Sequence, residues 1–446
     1  MKKEKKIQDK DWVYASLLGY VNTMFHHAYS KVEVMGMEKI PKDAAVIYAP
    51  NHTNGLMDAL AVLALDNQRK VFVARADIFK NPFQAKCLRF LKIMPIMRVR
   101  DGLDEVRKND ETMEKSIDVL KDRVPFCILP EGRHRAKHSL MPLCKGIFRI
   151  ALGAEEDLQN HDLPLYIVPV GIEYGNFFRF RSSILIQIGD PIDVRQYTVG
   201  HEEMTRPQVM NEMRDDLTEG LKKVTLAIPD DDLYDATFEI CAAVSDWQIR
   251  RCVREDKKKG FKPLKAIFDA DKQTIAEIQK ARAEKPEQMQ KIFDLAGQAR
   301  QLRFEKKISL NSIVAEKKFP YRLWKLLLLV VTLPFTVPSV VLSLPVTGIC
   351  KLMLKNMKDA SFHNSFRFAV NLILWPIFWL IYAIVGFCLF PWQLVLPIII
   401  ALLPATMISQ DVYKSIRLLL SDIRYKRNPE LRNLYNQIRK YYHEII

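Results

Sequence analysis

The chain has 446 residues, of which 49% are hydrophobic and 27% charged, a globular balance that excludes wholesale disorder and a polytopic transporter. At roughly 150 residues per domain, the length suggests about three units. Lys and Arg outnumber Asp and Glu by 67 to 52, a formal charge of +15, which suits a phosphate-bearing partner: nucleic acid, an anionic membrane surface or a phosphorylated metabolite.

In chain order, Ile7 to Trp12 is too polar for the apolar core of an export signal. Trp12, Leu17, Leu18, Tyr20, Val21, Met24 and Phe25 then form an aromatic-rich helical pattern. It suits a helix in the membrane interface or one docked on the following domain. Over the next two hundred residues, β-rich runs at Ala45 to Tyr48, Val71 to Ala74, Pro95 to Val99, Phe126 to Leu129, Tyr166 to Val170 and Ile184 to Ile188 alternate with helical patterns near Met57 to Leu65, Pro82 to Lys92, Glu111 to Leu120 and Lys145 to Ala154. Strands separated by helices of this length predict an α/β fold with a mixed, largely parallel sheet. A charged helical region follows from about Glu202, and no chemistry is assigned to it. The seven cysteines form no Cys-x-x-Cys pair and sit mostly in apolar surroundings, which predicts reduced, buried thiols.

From Leu326 to Cys350 and from Phe368 to Gln410 the chain carries no charge, and each run exceeds the about 20 residues a membrane-crossing helix needs. Pro334, Pro338 and Pro345 make a re-entrant segment compete with a straight span in the first. The second suits a two-helix hairpin turning at Pro391-Trp392-Gln393. Basic residues flank both runs: Lys317, Lys318, Arg322 and Lys325 before, Lys351, Lys355, Lys358 and Arg367 between, and Lys414, Arg417 and Arg424 after. All three flanks prefer the cytoplasmic side, which favours re-entry for the first run and the hairpin for the second. The expected boundaries are an N-terminal amphipathic helix at 1–31, an α/β domain at 32–201, a charged helical region at 202–320, and a membrane-embedded region with a basic tail at 321–446.

Four segments carry the chemistry. Asn51-His52-Thr53-Asn54-Gly55-Leu56-Met57-Asp58 follows a predicted strand and opens a helix. A carboxylate on one nitrogen of an imidazole fixes its tautomer and prepares the other to take a proton. Pro95-Ile96-Met97-Arg98-Val99-Arg100 sets two arginines at the end of an apolar run, as an anion site or as edge-strand surface charge. In Pro130-Glu131-Gly132-Arg133-His134-Arg135, a glycine beside cationic groups can offer N–H donors and guanidinium forks to a phosphate. Ile167 to Ile172 has no ionisable group and reads as a wall. His134 and His138 are four apart, but Arg133, Arg135 and Lys137 beside them would repel a cation, so no metal is expected.

In this order the segments resemble the phospholipid/glycerol acyltransferase family, over roughly Val32 to Pro191. The resemblance implies an α/β acyltransferase domain, and together with the uncharged runs and their basic flanks the expectation is a membrane-bound enzyme with that domain on the cytoplasmic side. The resemblance also implies His52 as general base with Asp58 as its partner, and an acceptor phosphate bound through Arg98 or Arg100, Glu131 and Gly132, with Arg133 and His134 in the same loop. The implied acceptor is glycerol 3-phosphate or 1-acylglycerol 3-phosphate. The acyl donor would be a thioester on coenzyme A or acyl carrier protein, used as co-substrate with no bound cofactor. Membrane lipids, the phosphorylated glycerol acceptor and acyl carrier protein are the expected partners. Two departures from the family pattern stand out. Five residues separate His52 from Asp58 where the family has four, so Asp58 faces His52 only if the loop at Gly55 absorbs the added rotation. Arg133-His134-Arg135 replaces Thr-Arg-Ser, which opens the alternative of another lyso-lipid acceptor, such as an aminolipid. A non-catalytic lipid-binding scaffold would have no need of the base, and a nucleic-acid binder would leave the apolar segments unexplained.

Overall fold

The computed structural model describes residues 6–97, 109–199, 203–255, 262–314, 319–355, 357 and 362–446. The chain divides into two units, one of residues 1–225 with 359–368, the other of 226–358 with 369–446.

The first unit is built on an eight-stranded sheet: β1 (Tyr29–Met35), β2 (Ala45–Pro50), β3 (Val71–Arg75), β4 (Ile93–Ile96), β5 (Phe126–Cys127), β6 (Leu165–Tyr174), β7 (Ser182–Ile188) and β8 (Ile192–Asp193). Its order is β1-β7-β6-β2-β5-β3-β4, with β8 on β6. β6 runs antiparallel to β7 and β8, and the remaining pairs are parallel, so the mixed, largely parallel sheet is present. All six residues of β2 are buried, because a central parallel strand is covered on both faces. Ala45, Ile47 and Ala49 of β2 pack with Val119 and Leu120 of α4 (Asn109–Lys121), Ile147 and Phe148 of α5 (Gly146–Leu158), and Met213 and Leu217 of α6 (Arg206–Val224). Alternation sends neighbouring side chains of β2 to the opposite face, beside α1 (Trp12–Ala28) and α2 (Leu56–Leu63). α3 (Pro82–Phe90) leads into β4.

Of the two placements open to the N-terminal helix, α1 takes the docked one: Tyr14, Leu18, Asn22, Phe25 and Ala28 are buried, while Trp12 is exposed. α6, read in sequence as the start of the charged helical region, buries Val209, Met210, Met213, Leu217 and Leu221. Cys127, Cys241 and Cys350 are buried, but Cys87, Cys144 and Cys388 are exposed, against the expectation of uniformly buried thiols.

The second unit contains α7 (Tyr234–Glu255), α8 (Pro263–Glu284), α9 (Pro286–Glu305), α10 (Asn311–Val314), α11 (Phe319–Val331), α12 (Leu333–Lys355), most of α13 (His363–Leu389), α14 (Trp392–Leu402), α15 (Ala405–Lys426) and α16 (Pro429–Ile445). α7, α8 and α9 form a domain with its own core, including Ile240, Val244, Ile278, Ile292 and Phe293. The expected basic tail is the helix α16, whose Leu431, Tyr435, Ile438 and Tyr442 complete that core. Buried Arg303 pairs bidentately with Glu239 at 2.8 and 2.9 Å, and Glu239 also accepts from the Tyr435 hydroxyl.

By length and apolarity α12 and α13 can each cross a membrane, and α14 with α15, bent by 53°, count as a third span or a re-entrant loop. Pro338 and Pro345 lie inside a continuous α12, and the break in the first apolar run falls at Thr332, between α11 and α12.

Candidate active site

β2 ends at Pro50, and the next residue anchors the site. The Asn51 amide accepts from the Ile172 N–H at 2.7 Å and donates to the Ile172 carbonyl at 3.2 Å, tying the loop that follows β2 to β6. His52 comes next, with its Nδ1 2.8 Å from Asp58 Oδ2. The same oxygen accepts from the N–H groups of Thr53 (2.8 Å) and Asn54 (2.7 Å), and Oδ1 accepts from the Tyr174 hydroxyl at 2.7 Å. The two backbone N–H groups can only donate, which favours Asp58, fully buried, as the acceptor of its contacts. Nδ1 of His52 therefore carries the proton, and Nε2 keeps the lone pair.

The geometry depends on Gly55. It caps α2 at φ 57°, ψ −126°, a conformation that side-chain-bearing residues avoid. This turn absorbs the rotation introduced by the fifth intervening residue and brings Asp58, in the first turn of α2, onto His52.

Glu131 is buried, and both carboxylate oxygens are taken by backbone: Oε1 by the His52 N–H at 2.7 Å, Oε2 by the Met141 N–H at 3.2 Å. Burial pushes its pKa up to about 8, against the lowering effect of those two N–H donors. Glu131 thus braces the backbone behind His52 through both of its oxygens. Gly132 turns the chain at φ 65°, its N–H donating to the Leu129 carbonyl at 3.1 Å. Arg133 is exposed. The His134 ring centroid is 5.3 Å from that of His52, so this loop borders the His52 imidazole. The Arg135 N–H donates to the His52 carbonyl at 3.3 Å. Arg98 and Arg100 lie outside the described residues.

His138 does not join His134: its Nδ1 is 2.6 Å from Glu173 Oε2. Among the described residues no group of three His, Cys, Asp or Glu side chains could hold a metal ion. The Asn54 amide and Thr53 hydroxyl are buried with no hydrogen-bond partner among the described residues.

Sequence reasoning missed two contributors. Tyr174 ends β6, two residues beyond the apolar segment read as a wall. Burial, followed by the nearby Asp58 charge, pushes its phenol well above its ordinary pKa, so it remains a donor. The other is the start of α13: Phe362 sets its ring edge-on to His134 at 4.4 Å, and Ser365 hydrogen-bonds the loop between His52 and Asp58. Neither has a local signature, because the chain distances to Asp58 and Leu56 are 116 and 309 residues.

Residues 31–173 match the family model described as Acyltransferase. Two proteins of Saccharomyces cerevisiae are similar to this chain. Glycerol-3-phosphate O-acyltransferase 1 is 32% identical over 105 residues, 23% of this chain and 14% of the yeast protein. Glycerol-3-phosphate O-acyltransferase 2 is 30% identical over 136 residues, 30% of this chain and 18% of the yeast protein. The matched segments thus span less than a fifth of these relatives. Among solved structures, the 1-acyl-sn-glycerophosphate (LPA) acyltransferase PlsC of Thermotoga maritima aligns at 22% identity over 48% of this chain and 83% of its own, with a TM-score of 0.33.

Proposed function

From the match of residues 31–173 to the Acyltransferase family model and their similarity to two yeast glycerol-3-phosphate O-acyltransferases, we propose that the protein is a membrane-associated O-acyltransferase of phospholipid synthesis. It moves a fatty acyl group from a thioester to a hydroxyl of glycerol 3-phosphate or 1-acylglycerol 3-phosphate. The observation that carries the reading is the 2.8 Å contact of His52 Nδ1 with the Asp58 carboxyl group, which three further donors hold in place. It leaves Nε2 as the free base.

In this mechanism Nε2 takes the proton of the acceptor hydroxyl as its oxygen attacks the thioester carbonyl. Asp58 stabilises the imidazolium that forms. The tetrahedral intermediate collapses with cleavage of the carbon–sulfur bond, and the imidazolium returns its proton to the departing thiolate. General base catalysis of this kind contributes about 10²- to 10⁴-fold in rate. The basic loop at Arg133 to Arg135, with Arg98 and Arg100, supplies the acceptor phosphate with cations. The catalytic unit is assigned to the cytoplasmic side, where coenzyme A and acyl carrier protein thioesters are both available as donors.

Replacement of the hydroxyl-bearing family residues by Arg133-His134-Arg135 supports a second reading, in which the same chemistry acts on another lyso-lipid. One experiment tests both. Purified protein is offered labelled acyl-coenzyme A or acyl carrier protein thioester with glycerol 3-phosphate, 1-acylglycerol 3-phosphate and lyso-aminolipids. Transfer to a glycerol phosphate, lost in His52→Ala while that variant stays folded and membrane-bound, is the expected result. Wild-type turnover by His52→Ala would sink the mechanism, and transfer only to a non-phosphorylated acceptor would favour the second reading.

A further inference from the structure

We propose that the first turn of the apolar helix α13 is a positioning part of the active site, with Ser365 clamping the enlarged loop between His52 and Asp58. The proposal rests on the acyltransferase reading above. An α-helix begins with N–H groups that lack intrahelical acceptors, and a side-chain oxygen at the N-cap ordinarily serves one of them. The N-cap of α2 is Gly55, which has no side chain. The oxygen comes instead from Ser365, whose Oγ accepts from the Leu56 N–H at 3.1 Å and donates to the Asn54 carbonyl at 3.2 Å. Ser365 therefore bridges the two residues flanking Gly55, at the turn that lets the five-residue spacing place Asp58 on His52.

The neighbours of Ser365 hold it there. Residues 362–368 belong to the same unit as the catalytic loop. Asn364, 2% exposed, lies against the Tyr29 side chain, whose ring is 6.0 Å from that of Tyr174, the donor to Asp58. Phe362 stands edge-on to His134, and Arg367 donates to the Phe178 carbonyl at 2.6 Å. Ser365 is itself 6% exposed. An added Cβ at Gly55 would meet its Oγ at 3.1 Å, so the clamp also limits what the turn can hold. The residues touched are those that set the direction of the His52–Asp58 contact, not the exposed Arg133. The consequence is a rate effect: loosening the clamp misaligns the base while leaving the phosphate contacts in place.

The test uses the full-length protein and three chains: wild type, Ser365→Ala and Ser365→Thr. Small misplacements of a reacting group cost up to about 10²-fold in rate. Ser365→Ala is therefore expected to lose about 10-fold or more in kcat, with KM for the acceptor changed less than about 2-fold. Ser365→Thr, which retains the hydroxyl, is expected to restore most of the rate. Independently of activity, hydrogen exchange in peptides covering residues 53–58 is expected to speed up in Ser365→Ala and to stay near wild type in Ser365→Thr. Wild-type kcat in Ser365→Ala overturns the positioning role, and unchanged exchange at 53–58 overturns the clamp. A wild-type chain that transfers acyl groups to no acceptor overturns the acyltransferase reading, and the exchange comparison still decides the clamp.

Discussion

At the scale of single residues the site is organised by what Asp58 accepts. Its two oxygens take four donors, two from backbone, one from His52 and one from Tyr174. An amide at this position has one acceptor oxygen and must turn an NH₂ toward donors. Asp58→Asn is therefore predicted to lower kcat by about 10²- to 10⁴-fold and acceptor KM far less, as steady-state kinetics would show. Tyr174→Phe leaves a buried carboxylate oxygen without its donor, and a loss of about 1–3 kcal/mol in unfolding free energy is expected. Glu131 gives a pH signature. Its folded pKa of about 8 lies above the ordinary value of 4.5, so between these values the folded chain holds a proton that the unfolded chain has released. Its contribution to stability is present below about pH 4.5 and is lost as pH rises toward about 8. Glu131→Gln removes that titration. The Tm of the variant relative to wild type should shift in the variant's favour from pH 5 to pH 8, whatever its constant offset from turning an amide NH₂ onto a backbone donor.

Among the elements, the junction of β2 with α2 decides how a departure in spacing is tolerated. One added residue at a helix start rotates the later side chains by about 100°, enough to turn Asp58 away from His52. Gly55 takes up that rotation at φ 57°, ψ −126°. Gly55→Ala puts an L side chain in a conformation costing about 1–3 kcal/mol and sets its Cβ against Ser365. The expected outcome is a loss of turnover larger than the loss of acceptor binding, with Tm lowered, measured by kinetics and thermal unfolding on the same preparation. β1 was missed among the strands for a different reason. In Tyr29-Ser-Lys-Val-Glu-Val-Met only Tyr29 and Glu33 are buried, so an edge strand carrying a buried acid shows no apolar run.

For the whole molecule, the basic flanks bear on the topology of the apolar segments. Among the described residues no helix before Leu333 is long and apolar enough to cross a membrane. Residues 362–368 belong to the catalytic unit. Tyr425 and α16 share a core with α7, α8 and α9. The three basic flanks favour one side for both ends of each apolar segment. Single cysteines at position 358 and at the C-terminus are predicted to react with a membrane-impermeant maleimide applied from the catalytic side. Labelling of position 358 from the opposite side only would mean that α12 crosses alone.

Features written in neighbouring residues were legible in the chain alone. The alternation of strands and helices, the paired His52 and Asp58, the glycine able to absorb their spacing, and the two uncharged segments all come from local periodicity, charge or backbone freedom. The groups that close around them emerged only with the packed fold. It set Glu131 on the His52 backbone, brought Tyr174 to Asp58, and folded the charged helices around a core completed by α16. It also set Ser365 on the turn at Gly55. Each of these contacts joins residues far apart in the chain, and a hydrogen bond between distant residues leaves no period, spacing or composition in either of the segments it connects.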